Sequence, residues 1–430
     1  RVSRPKVLAV THRVPYPPDK GDRIRTYHLL RFLARRAEIH LACLADEPPP
    51  PGAAARLNEL CARVTVAPVG RSRWARAAAS LARGRSATEG AFRSPELAEV
   101  LAGWGRTTAY DAAFASGSGV APYLRPGALR GVPAVVDLVD VDSQKWLDYA
   151  AASAFPKSRL YRLEGRRLRT LEAEVCGWAK AVTLVSEAEA ELFRTFAPGG
   201  NVRVVTNGVD LDYFRPAAGT TPGGRSVPNG TVAYGEGEGC VFVGAMDYRP
   251  NVDAACWFCC EVWPAVRRRR PGATFRVVGR RPAAAVRRLA SLPGVEVVGP
   301  VPDVRPYLHG AAVAVAPLRL GRGLQNKVLE AMAAGRPVVA SPQAVAGLGR
   351  GSGLPAVIAA SPEEWAGEVI RLLGDPAARA ALGEAGRRYA EARHDWGRCL
   401  APFAELLGLG AADRPGPVTD PEGALAGQTA

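Results

Sequence analysis

The stretch Gly321-Arg322-Gly323-Leu324-Gln325-Asn326-Lys327-Val328-Leu329-Glu330-Ala331-Met332, closed by Gly335-Arg336-Pro337-Val338-Val339-Ala340, constrains this chain more than any other. It follows the apolar strand Val313-Ala314-Val315-Ala316 and reads as a glycine loop, a helix, a glycine stop and a buried strand. A glycine loop entering a helix turns backbone N–H groups outward at the positive end of the helix dipole, where an anion such as phosphate is favoured. Lys327 and Glu330 are three apart and share a helix face. Together they can address a diphosphate and a hydroxyl-bearing group of one ligand, the two parts of a nucleotide-sugar.

A chain of 430 residues exceeds one ordinary core, and two domains of roughly 150 to 200 residues are expected. No apolar run approaches the ~18 to 20 residues needed to span a bilayer, and no signal-peptide pattern precedes the first strand, which points to a cytoplasmic protein. The net charge of +15 points to acidic partners: nucleic acid, an anionic lipid surface or phosphorylated substrates. Charge cannot choose among them, because an Arg bias in an Ala/Arg/Gly/Pro-rich chain also follows from a GC-rich genome. The cysteines at 256, 259 and 260 form a CxxC with no second CxxC or paired His to complete a zinc site, so buried free thiols on a helix are expected.

Taken in order, Lys6–Val10 is a short apolar strand, residues 11–22 a Pro-rich loop with Gly21 near its end, and Ile24–Ala34 a helix with Leu29, Leu30 and Leu33 inward. Ile39–Leu44 and Val64–Val69 are the next strands, so the chain opens as a Rossmann-like unit. No GxGxxG follows the first strand, and a dinucleotide cofactor is not indicated. Arg71–Ala102 reads as basic helix broken at Gly84 and Pro95. Pro133–Val139 is a strand running into Asp140 and Asp142, at the edge where open parallel sheets bind ligands. With no further ligand nearby, this pair suits positioning of hydroxyls or capping of the next helix better than a metal.

Arg159–Lys180 is a long Arg-rich helix with Leu160, Leu163, Leu168, Leu171 and Val175 at helical spacing, and Ser186 with Glu189 forms an S-x-x-E capping box. Asn207-Gly208 reads as a tight turn. A second alternation of strands and helices begins at Cys240 and includes a helix from Val252 to about Arg270.

Asn207-Gly208-Val209-Asp210, Tyr213-Phe214-Arg215-Pro216, Gly244-x-Met246-x-Tyr248-x-Pro250-Asn251 and Lys327-Val328-Leu329-Glu330-Ala331-Met332 resemble, in order and spacing, the GT-B glycosyltransferases of family 4. Residues 137–146 and 322–327 are more narrowly similar to the sugar transferases associated with PEP-CTERM/exosortase exopolysaccharide systems. The resemblance implies an α/β GT-B fold, two Rossmann-like domains facing across a cleft. Its boundaries are an acceptor domain over residues 1–216, a linker over 217–238 and a nucleotide-sugar domain over 239–395. A C-terminal helix over 396–408 returns to the first domain and a disordered tail covers 409–430.

The implied reaction is transfer with retention and without metal or other cofactor, from a nucleotide-sugar to a glycan or polyprenyl-linked acceptor. On that resemblance Glu330 binds the ribose, Lys327 faces the diphosphate, and Gly323, Leu324, Gln325, Asn326 and Gly244 complete the donor site. Arg249 is a second candidate for the diphosphate, without the family's usual Lys before a Gly. Arg322 stands where the family's first Glu of E-x7-E would fall. Asp140 and the loop residues His12, Gly21 and Arg23 would serve the acceptor side. His12 lacks an evident paired acid and suits packing or hydrogen bonding in its loop better than base catalysis.

Three other readings remain: a non-catalytic binding protein that kept the fold, a UDP-sugar epimerase, and a nucleic-acid binder supported by charge alone and lacking interleaved aromatics. Docking of the basic N-terminal helices on an anionic membrane is a separate expectation.

Overall fold

The structure is a computed structural model, described here for residues 4–19, 21–125, 127–216, 238–321, 323–348 and 353–410. Arg322, nearly all of the expected linker and most of the expected tail lie outside the described residues. The chain divides into two compact units, one built on Asp22–Thr206 and the other on Asn207–Cys399, with the described residues from Leu400 to Gly410 grouped with the first.

In the first unit the strands are β1 (Lys6–Thr11), β2 (Glu38–Ala45), β3 (Arg63–Pro68), β4 (Ala112–Ser116), β5 (Ala134–Val139), β6 (Ala181–Leu184) and β7 (Val202–Val204). Among the described residues they form one parallel sheet in the order β3-β2-β1-β4-β5-β6-β7. The second unit has β8 (Gly239–Val243), β9 (Thr274–Val278), β10 (Val295–Gly299), β11 (Val313–Ala316), β12 (Val338–Ala340) and β13 (Val357–Ile358). Their order is β10-β9-β8-β11-β12-β13, again parallel. Strands such as Ala-Ala-Phe-Ala-Ser and Val-Ala-Val-Ala are buried along their whole length, as a sheet covered by helices on both faces requires. Strand order reverses between β1 and β4 in the first sheet and between β8 and β11 in the second, and ligands of such sheets bind beyond the carboxyl ends at these points.

Local signals place the helices. Ser94 caps Pro95–Thr107, Asp375 caps Pro376–Arg393, and Ser361 with Glu364 makes a full capping box for Pro362–Gly374. Proline stands at the first helical position in all three, where its missing N–H costs nothing. Gly335, at φ 69°, ends the helix Asn326–Ala333. The second core centres on Phe258, Trp263, Phe275 and Trp365, with Phe258 and Phe275 ring centroids 4.8 Å apart. In the first unit Phe403 packs edge-on against Phe114 of β4 at 5.6 Å.

The structure departs from the sequence expectations at several points. The first helix is Gly21–Leu33, and the basic stretch resolves into helices Arg73–Ala82, Ala87–Ala91 and Pro95–Thr107. The long helix runs Lys157–Trp178, with Leu168, Leu171 and Val175 buried but Leu160 and Leu163 exposed. Ser186 caps its helix, yet Glu189 does not close the box, because its carboxylate accepts from the Val141 N–H at 2.8 Å. Asn207-Gly208 is no turn: a Cβ on Gly208 would lie 2.7 Å from the Trp396 backbone, so the glycine serves close approach. Of the clustered cysteines only Cys259 is buried, while Cys256 is half-buried and Cys260 exposed, on a segment where a π-helical turn over Phe258–Val262 shifts the helical phase.

Candidate functional site

The second sheet's crossover point carries the organising stretch. Beyond β11 the chain passes through Gly323, at φ 65°, and Leu324 to Gln325, where the helix Asn326–Ala333 begins. Gln325, at the N-cap position, does not cap this helix with its side chain, so the first-turn N–H groups keep the character of an anion site. The loop is held closely, since a Cβ on Gly347 would collide with the Gly323 carbonyl. Asn326 accepts from the Asn207 amide at 3.2 Å, which ties the helix start to the Asn207-Gly208 segment.

Lys327 sits in the first helical turn. Its Nζ donates to Asn251 Oδ1 at 3.0 Å and lies 5.5 Å from the centre of the Phe242 ring. Burial pulls its pKa down from the ordinary lysine value to about 8, partly offset by the charge of Glu330. Glu330, one turn on, is 4% exposed. Asn251 in turn donates from Nδ2 to the Ala245 carbonyl at 3.0 Å. Gly244, at the end of β8, must be small, because a Cβ there would lie 2.6 Å from that amide nitrogen. The spacing Gly244-x-Met246-x-Tyr248-x-Pro250-Asn251 therefore returns an amide over the strand end to meet Lys327. Arg249 is exposed at the first position of the helix Arg249–Trp257, and the side chain that reaches Lys327 from that segment is Asn251.

Beside this group, Tyr213 donates to Asp303 Oδ1 at 3.0 Å and lies under the Arg305 guanidinium at 3.9 Å. Burial first, then the Asp303 charge, with Glu330 contributing, pushes the Tyr213 hydroxyl pKa well above its usual range. Asn251 is visible in the sequence only as a motif letter, and Asp303 and Arg305 carry no signal there, because the Tyr213 they meet lies 90 positions before Asp303.

In the first unit His12 follows β1, with Nδ1 at 2.8 Å from the Ser116 carbonyl and Nε2 at 3.1 Å from Asp22 Oδ2. Both partners are acceptors, so both ring nitrogens can donate together only in the protonated ring. Burial opposes that charge, but the hydrogen bond and charge of Asp22 outweigh it and raise the pKa. Asp22 is therefore the paired acid of His12 that the sequence did not reveal, and it favours the protonated ring. Arg13 joins Asp22 to Asp46, at 2.7 and 3.2 Å. Gly21 opens the helix, and Arg23 is buried against Glu47 at 2.6 Å.

Asp140 follows Val139, whose φ of 68° is a strained value for a β-branched residue. One of its carboxylate oxygens is buried without a hydrogen-bond partner. Burial, then the charges of Glu189 and Asp142, raises its pKa to about 7. Asp142 begins the next helix without capping it. Among the described residues no group of three or more His, Cys, Asp or Glu could hold a metal ion, and no helix is long and apolar enough to cross a membrane.

Comparison with known proteins bears on both units. Residues 21–208 match the family model of the glycosyl transferase 4-like domain, and residues 237–375 that of the glycosyl transferases group 1. D-inositol 3-phosphate glycosyltransferase of Salinispora arenicola (strain CNS-205) is 31% identical over 255 residues, covering 54% of this chain and 55% of that protein. The match thus spans about half the length of that relative. Among solved structures, sucrose-phosphate synthase from Thermosynechococcus elongatus shares the fold at a TM-score of 0.66 and 17% identity, over 93% of this chain and 98% of that one. HepE from Anabaena, solved in complex with UDP and glucose, does so at 0.65 and 15%, over 94% and 99%. Each of the two units thus matches a glycosyltransferase family model, and the fold shared with these neighbours along nearly the whole chain is GT-B.

Proposed function

We propose that this chain moves a sugar from a nucleotide-sugar, held by its second unit, to a glycan or lipid-linked acceptor in exopolysaccharide or cell-surface glycan assembly, with retention of configuration. The observation that carries the reading is a half-buried lysine in the first turn of a helix whose N-cap residue leaves it uncapped, one turn from a buried glutamate. As the bond from the anomeric carbon to the diphosphate breaks, the electron pair stays on the leaving oxygen and negative charge grows there. Lys327 and the helix N–H groups stabilise that charge more than they stabilise the bound donor, which is what lowers a barrier. The reading asks for no metal or other cofactor, since these groups supply the positive charge. Glu330 accepts from the two ribose hydroxyls. The new bond joins the acceptor oxygen to the anomeric carbon, and its proton must be taken up. For retention the bond forms on the face the diphosphate leaves, where a departing phosphate oxygen can take that proton; Asp140, with a pKa of about 7, is the first unit's group suited to exchange a proton near neutrality.

The test is release of nucleoside diphosphate from a panel of nucleotide-sugars, with and without glycan acceptors. Wild-type protein is expected to turn over at least one donor. Glu330→Ala is expected to raise its KM about 10- to 100-fold, since hydrogen bonds to a charged group contribute about 1.5–3 kcal/mol. Binding without turnover across the panel would instead favour a nucleotide-sugar-binding protein, and isomerised sugar without acceptor an epimerase.

Lys327 also sets an expected pH dependence. A bound diphosphate favours the ammonium form, so the pKa of about 8 rises on binding. Affinity for a nucleoside diphosphate is therefore flat below pH 8 and weakens above it, approaching about tenfold per pH unit for one linked proton. Calorimetric titration across that range checks this. A Lys327→Ala protein should show no such slope.

A further inference from the structure

The helix Lys157–Trp178 of the first unit turns to water a face that a purely structural helix would bury. Phe155, just before it, is 74% exposed, Leu160 52% and Leu163 40%. Arg159, Arg162 and Arg166, at helical spacing, form an exposed stripe one residue over from Leu160 and Leu163, and Lys157 is exposed beside Phe155. Between Tyr149 and Glu172 the one acid is Glu164, and it is buried, accepting from Ser86, Thr88 and the Ala87 N–H. The water-facing side of this segment thus carries four cations, no anion and three large apolar groups. It is not a frayed end, because Tyr161 packs on Trp146 at 5.4 Å and Leu168, Leu171 and Val175 anchor the rest of the helix in the core.

We propose that this face docks on an anionic lipid bilayer, with Phe155, Leu160 and Leu163 entering the headgroup boundary and the flanking cations meeting lipid phosphates. A helix lying in that plane needs an apolar stripe beside a basic one, and both are present. A nucleic acid would use the cations but offers no apolar layer for the three side chains. A second copy would bring two sets of four like charges together. The inference goes beyond the donor-site reading and does not depend on it, since its readout is binding.

The experiment floats the full chain with vesicles of phosphatidylcholine alone and of phosphatidylcholine mixed with phosphatidylglycerol. The expected result is association with the anionic vesicles only, weakened by salt. Phe155→Ser/Leu160→Ser/Leu163→Ser and, separately, Arg159→Glu/Arg162→Glu should each weaken it about tenfold or more. The substituted residues are exposed, so unchanged melting and unchanged nucleoside diphosphate affinity show that the variants remain folded. Equal binding to both vesicle types, or no binding to either, would overturn the proposal. So would a duplex-DNA complex or a dimer in sedimentation that these variants abolish while vesicles are not bound.

Discussion

Lys327→Ala is expected to lower turnover of the nucleotide-sugar about 100- to 1000-fold, the loss typical when one preorganised donor to a developing oxyanion is removed. The effect should fall mainly on kcat. Charge on the leaving diphosphate is larger in the transition state than in the bound donor, so the lysine's contribution grows as the bond breaks. The surroundings are built to keep this side chain in place. Asn251 Oδ1 holds the ammonium, the Ala245 carbonyl holds Asn251, and Gly244 leaves the space that the amide occupies. Asn251→Ala keeps the charge but frees its position, and should give a smaller loss than Lys327→Ala. Steady-state kinetics on the three proteins decide this, and equal kcat in wild type and Lys327→Ala would reject the assignment.

The second large effect concerns stability. Arg25 and Asp137 form a bidentate pair in the first unit, Nε to Oδ2 at 2.7 Å and a second guanidinium nitrogen to Oδ1 at 2.9 Å. Thr183 Oγ1 also donates to Asp137, at 2.7 Å. Both charged side chains are about 1% exposed. Asp137→Ala leaves a guanidinium buried without its counter-charge and is expected to cost about 3–5 kcal/mol. Arg25→Met/Asp137→Leu should recover much of that, because apolar replacement of a whole buried pair is often near neutral. Urea unfolding of the single and double variants measures both. A single variant as stable as wild type would show that the pair contributes little.

This pair also marks where the sequence stops being legible. The alternation of short apolar runs with helical periodicity was enough to read two parallel-sheet units, because strands buried on both faces and glycine-ended helices leave local signals. In the first helix the same local pattern put Leu29, Leu30 and Leu33 inside, and the structure buries them. It could not mark Arg25 as buried, since its partner is 112 positions away. The donor site divides in the same way. The glycine loop, Lys327 and Glu330 share one loop and helix and stand out by spacing, whereas Asn251 acts through a contact across 76 positions. Asp22 lies only ten residues from His12, yet no local pattern marks the pair, because the loop between them folds back on itself. Glu189 shows the reverse error: an S-x-x-E pattern was present, but the Val141 N–H offered its carboxylate a buried partner. Leu160 and Leu163 match the apolar period of their helix, yet the first unit buries only the stripe further along.

The central claim is that the start of the helix Asn326–Ala333 receives the donor's diphosphate while Glu330 receives its ribose. Calorimetric titration of UDP and other nucleoside diphosphates into wild type, Lys327→Ala and Glu330→Ala, with melting temperatures as the control for folding, tests it most directly. Saturable one-to-one binding by wild type, weakened about tenfold or more in each variant at unchanged melting temperature, is the expected result, since a hydrogen bond to a charged group contributes about 1.5–3 kcal/mol. Equal affinity in all three proteins would contradict it.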